Sequence, residues 1–557
     1  MSASVEDQQG VDEAAQVAVE QRTTDQRTLL GILAERAEGT DGDRIWLEDI
    51  DGRTQTYAQA YESSLRWADV YRRVGVGSGD VVVTMQLNTF EYLLGWLGLS
   101  WLRAIEAPIN TDYRGDLLRH VLDNTRAKVM LVRQEYVDRI AAIADQLEHL
   151  KTVVVVDPTG DPLPDLPFDV VHVDDLLSDA NPIEPVPVPD PWDIACVMYT
   201  SGTTGPSKGV LMPWGQFHAW ALMWDADGDM GPDEVFHCPG PTFHVPAKML
   251  PYLAAILGAK AYMRPYIHIA STADDLRKVT FAIWVFPQAI NEWLAEPETP
   301  EDKNVMLRRI PAGPIFPGLL EFLDRFDVRT LRIFNMTEAG CPIVDPGWNQ
   351  SHFAPDGTPS VGKVRQGYPH YEVRLVDEHD QEVPAGVPGE LIVRTSVPWT
   401  MNAGYLNMPE ATANAWRNGW YHTGDGLYKD DRGNFFFKDR IKDSIRRRDE
   451  NISSSEVELL VYQHPAVQEV AAVAARGGYD EEVKICVVRK PDEKLTHEEL
   501  IEYLIPRMPR FMVPRYVEFM DELPKTPTAK VRKFILRENA VNENTWDREA
   551  AGIVVPR

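Results

Sequence analysis

Between residues 28 and 190 the chain switches repeatedly between two kinds of apolar pattern. "LRWADVYRRVGV" and "FEYLLGWLGLSWLRA" read as helices, whereas "GDVVVTMQ", "AKVMLV" and "KTVVVVD" are short β-branched runs of the buried-strand type. Such alternation predicts a mostly parallel sheet with helices on its faces. "DPLPDLPFD" and "NPIEPVPVPDP" predict Pro-rich surface loops. A second α/β section extends to about residue 340. Beyond it, "YEVRLVDEHDQEVPAGVPGELIVRT" alternates by twos around a Pro-Gly turn, the pattern of a hairpin-rich β section. After "FKDRIKDSIRRRDE" the chain reads helix, strand, strand, helix, a compact α+β set. The expected fold is therefore α/β: a polar, disordered tail over 1–27, a large domain over 28–440 with parallel-sheet layers plus a β-rich section, and a small α+β domain over 441–557.

Composition removes several function classes. A formal net charge of −29 repels nucleic-acid backbones. None of Cys196, Cys238, Cys341 and Cys486 falls in a C-x-x-C pair, which argues against a disulfide framework or a zinc site. The acidic N-terminus lacks the pattern of a secretory signal, and the longest apolar run, "YLLGWLGLSWL", is too short for a bilayer and reads as a buried helix. A cytoplasmic enzyme without a membrane span is expected.

The strand pattern "IACVMYT" runs directly into "YTSGTTGPSKG", Tyr199 to Gly209. Glycines and small hydroxyl residues let backbone N–H groups surround phosphate oxygens, and Lys208 adds a point charge. The stretch does not fit the register G-x-x-x-x-G-K-[ST], because Ser207 precedes Lys208 and Gly209 follows it. A flexible linker of this composition is seldom fed by a buried strand and seldom carries a lysine.

"YTSGTTGPSKG" closely resembles the phosphate-binding signature of the adenylate-forming superfamily, which includes acyl- and aryl-CoA synthetases. Further segments resemble that family in order: "PAGPI", "FNMTE", "GELIVRT" with "NAGYLN", "GWYHTGD", "FKDRIKDSIRRRDENISSSEVE" and "PKTPTAKVRK". The resemblance spans about residues 28 to 540, and "VPWTMNAGYLNMPEATANAWRNGWYHTGD" is most similar to the carnitine/crotonobetaine-CoA ligase subgroup. It implies that ATP and a carboxylic acid form an acyl-adenylate, pyrophosphate leaves, and the acyl group passes to CoA. It also implies a mobile C-terminal domain; dimers are common among such relatives.

The resemblance also assigns roles. Thr200, Ser201, Gly202, Thr203, Thr204, Gly205 and Lys208 would wrap the β- and γ-phosphates. Glu338, with Thr200, would hold Mg²⁺, a hard cation suited to oxygen ligands, and Thr337 would reach the α-phosphate. Phe334, in a segment with Asn335 and Met336, would stack on adenine, with Ala312, Gly313 and Pro314 as the opposite wall; Asp425 and Arg440 would hold the ribose. Lys530 would bridge the acid's carboxylate and the α-phosphate as the catalytic cation. His244 beside Phe243 would line the acyl site and gate the thiol, and Trp284, Phe286 and Gln288 would wall the acid pocket, favouring a small or planar acid. Lys442 would be the hinge, in a segment from Arg440 to Arg448 with five basic residues and one acid, Asp443. Each residue also has a plainer reading: Glu338 as a surface acid, Asp425 in a turn, His244 as structural, the aromatics as core, Lys530 as one exposed cation beside Lys525, Arg532 and Lys533.

Three positions depart from the family pattern: Asp449 and Asn335 where glycine is usual, and Ala529 where glycine is frequent. An aspartate at 449 adds bulk and charge where the thiol's arm passes. Two alternatives therefore accompany the CoA ligase: an adenylate-forming enzyme that passes its acid to an amine, or activates nitrite for diazotisation, and a catalytically silent nucleotide-binding module.

Overall fold

The computed structural model describes residues 27–555 apart from 201–206, 226–227, 312–317, 350–351, 355–357, 441–444, 448–449, 453, 478–479, 492, 509 and 526–529. The described chain forms two compact units: one of 27–200, 207–373 and 393–421, the other of 374–392 and 422–555.

The first unit contains two seven-stranded sheets. One runs in the order Asp169–His172, Thr152–Val156, Val129–Arg133, Val81–Met85, Ile105–Pro108, Ile194–Thr200, Lys208–Pro213. All neighbours are parallel except the last pair. The β-branched runs read from sequence are its interior strands, and Val82, Val83, Leu131, Val154 and Val155 are fully buried. The second sheet runs Arg329–Leu331, Arg309–Pro311, Phe281–Ala282, Val235–Cys238, Lys260–Met263, Ile45–Asp49, Thr54–Thr56, antiparallel at its last pair alone.

The longest apolar run forms the helix Phe90–Trp101, capped by Thr89 and buried along nearly its whole length. Gly98 lets it approach the helix Tyr57–Arg73 closely: a methyl there would lie 2.6 Å from Trp67 Cβ. Trp96 stacks on Trp214 at 4.9 Å, so the aromatic payload of this region is core. No helix among the described residues is long and apolar enough to cross a membrane.

The strands Tyr371–Val376 and Gly389–Thr395 form the expected β-rich section; the same sheet continues with Trp420–Lys429, with which Phe435–Arg440 pairs antiparallel. Further along lie the hairpin Ile445–Arg447/Glu450–Ile452 and the sheet Val467–Gly477, Asp480–Arg489, Tyr516–Met520, Trp546–Asp547. The helices Ser454–Tyr462, His497–Leu504 and Lys533–Glu538 accompany that sheet, with a Thr496/Glu499 capping box starting the second. The first 26 residues, including nearly all of the expected tail, lie outside the described residues.

Candidate active site

The glycine-rich stretch joins two antiparallel strands. Ile194–Thr200 pairs with Lys208–Pro213, and Thr200 stands opposite Lys208 at the hairpin's base. Ser201, Gly202, Thr203, Thr204 and Gly205 lie outside the described residues. Gly209 keeps the base narrow: a methyl there would lie 2.7 Å from Val197 Cγ1. The "NAGYLN" segment runs alongside, with Leu211 N–H donating to Gly404 O at 2.9 Å and Leu406 N–H to Gly209 O at 2.8 Å. That places the Tyr405 ring 4.9 Å beneath Lys208 Nζ.

Glu338 reaches the same base from 138 residues away: Thr200 Oγ1 donates to its Oε1 at 3.4 Å. Tyr405 OH lies 3.4 Å from the same oxygen and 2.9 Å from Tyr421 OH. Burial, then the nearby Glu338 charge, pushes the Tyr405 phenol above its ordinary pKa. The Glu338 backbone is clamped by buried amides: Asn402 Nδ2 donates to its carbonyl at 2.8 Å and Gln216 Nε2 at 3.2 Å, the latter also to Thr337 O at 2.8 Å. "FNMTE" forms the strand Ile333–Met336 and the turn after it, leaving Phe334 buried, Asn335 exposed, and Met336 and Thr337 half-buried. A buried carboxylate beside a hydroxyl is an oxygen donor set that fits Mg²⁺, the rest of whose shell would come from substrate phosphate and water. Among the described residues no group of three or more His, Cys, Asp or Glu could hold a metal unaided.

The acid-pocket candidates partly assemble. Trp284 lies so close over Gly240 that a methyl there would be 2.4 Å from the indole. Gly240 precedes the turn carrying Phe243 and His244, whose rings are 4.9 Å apart. Phe286 is half-buried at the start of the helix Pro287–Ala295, and Gln288 is exposed on it. Ala312, Gly313 and Pro314 lie outside the described residues.

In the second unit, Asp425 stands opposite Arg440 in the antiparallel register, so the two ribose candidates share one rung. Asp425 is buried, one residue beyond Gly424 at φ +74°. Lys530 is exposed. Nearby, Lys525 pairs with Glu469 at 2.6 Å and Lys533 with Glu458 at 2.8 Å. Lys442, Asp449 and Ala529 lie outside the described residues.

Gln216, Asn402 and Tyr405 escape the sequence reading as site residues because each acts through a partner far along the chain. A signal exists for Gln216: a lone amide inside the apolar "WGQFHAWA" helix, fully buried.

Comparison with known proteins joins these features. The chain belongs to the AMP-binding enzyme family, adenylate-forming ligases of the acyl-CoA synthetase type: the AMP-binding enzyme model matches residues 33–406, and the AMP-binding enzyme C-terminal domain model matches 456–530. Among curated relatives, a crotonobetaine/carnitine–CoA ligase of Salmonella agona (strain SL483) is 28% identical over 518 residues, covering 89% of this chain and 96% of the relative. One from Citrobacter koseri is 29% identical over 501 residues, covering 86% and 92%. Among solved structures, the anthranilate CoA ligase AuaEII in complex with anthranoyl-AMP superposes with TM-score 0.76 at 24% identity, covering 95% of this chain and 98% of that one. O-succinylbenzoate coenzyme A synthetase from Bacillus subtilis, in complex with AMP, gives 0.77 at 22%, covering 93% and 99%. Their likeness is one of fold.

Proposed function

We propose that the protein activates a small carboxylic acid with ATP and transfers it to CoA. A carboxylate oxygen attacks the α-phosphorus and the bond to pyrophosphate breaks, leaving an acyl-adenylate. The thiol sulfur then attacks the acyl carbon; its proton is lost to solvent and AMP departs. The observation that carries the reading is the meeting of Thr200 and Glu338 at the base of the glycine-rich hairpin, with Lys208 opposite. It concentrates a cation, a hydroxyl and a carboxylate where a triphosphate and its Mg²⁺ need them. Lys208 neutralises departing pyrophosphate, Asp425 and Arg440 hold ribose, and Lys530 follows charge from carboxylate to α-phosphate. Trp284, Phe243 and His244 bound the acyl group, which favours a small or planar acid. The relatives' names span crotonobetaine, carnitine, anthranilate and O-succinylbenzoate, which supports an organic acid without selecting one. A C-terminal part beginning near Arg440 and hinged at Lys442, a cytoplasmic location and a homodimer belong to the same proposal.

A pyrophosphate-release screen across small acids, with and without CoA, tests it. AMP and pyrophosphate are the expected products; ADP would overturn the reading, and ATP binding with no turnover of any acid would favour the silent module.

A second reading rests on one residue. Asp449, in "RDENI", puts a carboxylate where the thiol's arm is expected to pass. If adenylation proceeds and CoA stimulates nothing, an amine acceptor, or nitrite as the activated acid, is favoured. Asp449→Gly is expected to raise CoA-dependent turnover; no change would remove the reason for this alternative.

A further inference from the structure

The stretch of the strand Trp420–Lys429 that carries Asp425 is held by a side chain from another strand. Gly424, at φ +74°, donates its N–H to Glu390 Oε1 at 3.0 Å. The other oxygen of that carboxylate, Oε2, lies 3.0 Å from His422 Nδ1. The His422 ring is almost wholly enclosed, 3% exposed, with Nε2 3.9 Å from Asp380 Oδ2. On the strand Gly389–Thr395, the residue after Glu390 completes the grip: Leu391 O accepts from Thr423 Oγ1 at 2.7 Å, and Asp425 N–H donates to the same hydroxyl oxygen at 3.1 Å. Thr423 and Gly424 are thus held by two consecutive residues of the adjoining strand, and the Asp425 N–H by the hydroxyl that Leu391 fixes.

We propose that Glu390 and His422 are positioning residues for ribose recognition, acting through the Gly424 N–H to set where the Asp425 carboxylate points. The inference rests on the reading of Asp425 as the ribose ligand. The physics is specific. A hydrogen bond to an ionised carboxylate is about twice as strong as a neutral one and narrower in geometry. Here it is spent on the amide adjoining Asp425. His422 occupies the carboxylate's second oxygen, so Glu390 cannot rotate away without leaving a buried ring unpaired. The Asp425–Arg440 rung fixes the strand from one side, and the Glu390–Gly424 bond fixes it from the other at a glycine of positive φ. A carboxylate that must accept from two vicinal hydroxyls tolerates little displacement, and loss of such a support is felt at a distance of one residue.

The test compares KM for ATP, 2′-deoxy-ATP and 3′-deoxy-ATP in the full-length enzyme and in the variants Asp425→Ala, Glu390→Gln and His422→Gln. The wild type is expected to prefer ATP by about tenfold or more, the scale of a hydrogen bond to a charged group. Asp425→Ala should abolish that preference. Glu390→Gln should shrink it at least about threefold and His422→Gln less, while saturating kcat changes less than about twofold. A merely structural role would alter all three nucleotides alike. If Asp425→Ala retains the preference, the ribose reading fails. If Asp425→Ala loses it while Glu390→Gln and His422→Gln both keep it, the positioning inference fails. Should Glu390→Gln not fold, His422→Gln and Glu390→Asp carry the same comparison.

Discussion

Lys248 Nζ lies 2.6 Å from Glu106 Oε2, and the two side chains are 0% and 1% exposed. The ammonium also donates to Tyr92 OH and sits 4.4 Å from the Trp96 ring, while Glu106 Oε1 accepts from Thr84 Oγ1 at 2.6 Å. Tyr92 OH in turn donates to Thr242 O at 2.9 Å, so the pair is tied to the turn carrying Phe243 and His244. Removing one member leaves a buried charge uncompensated. Lys248→Met is expected to cost about 3–5 kcal/mol, and Glu106→Gln/Lys248→Met to recover at least half, read from denaturant midpoints. Equal losses in single and double variants would show that packing, not charge, dominates there.

Lys530 is the cation to remove first. Its place in "PKTPTAKVRK" is what singles it out; Lys525, paired with Glu469, and Lys533, paired with Glu458, are neighbouring lysines that serve as controls. Lys530→Ala is expected to lower acid-dependent pyrophosphate exchange by about 10²–10³-fold, the scale of losing one stabilising donor, with ATP affinity held within a few-fold. Lys525→Ala and Lys533→Ala should leave exchange within a few-fold. Unchanged exchange in the Lys530 variant would contradict its assignment.

Much of the fold is written locally. The β-branched runs became strands because a parallel sheet between helices buries both faces, and "IACVMYT" is a strand over the residues its composition marks, Ile194–Thr200. Pairing is not local. The antiparallel ladder between Trp420–Lys429 and Phe435–Arg440, which sets Asp425 opposite Arg440, joins segments whose composition alone does not pair them. The site shows the same divide. Thr200, Lys208 and Glu338 stand out within short recognisable segments; Asn402 and Gln216 act by holding the Glu338 carbonyl, a contact no segment contains. Glu390 and His422 do lie in quoted segments, but the bond between them exists only once the strands pair.

Thiol chemistry gives an independent check. All four cysteines are buried. Burial pushes the Cys341 and Cys486 thiols up to about 12, and the Cys196 and Cys238 thiols above their ordinary value as well. Since the thiolate is the nucleophile, iodoacetamide at pH 8 is expected to label none of them in the native enzyme and all four after denaturation. Rapid native labelling with loss of activity would place a reactive cysteine at the site.

Acid selectivity should turn on Gly240. A methyl at this position would meet the Trp284 indole at 2.4 Å, a distance real contacts do not reach, so the ring or the loop must move. Because the same loop continues through Thr242 to Phe243 and His244, displacement is transmitted to the proposed acyl site. Overpacking of this kind costs about 1–3 kcal/mol. If that energy falls on acid binding, Gly240→Ala should raise KM for the acid about tenfold or more while KM for ATP changes less than about twofold. Gly240→Ala/Trp284→Phe should restore part of the loss, since the smaller ring vacates the space, and should shift preference toward bulkier acids. A Gly240→Ala enzyme with an unaltered acid profile would separate Trp284 from the pocket and return it to the core.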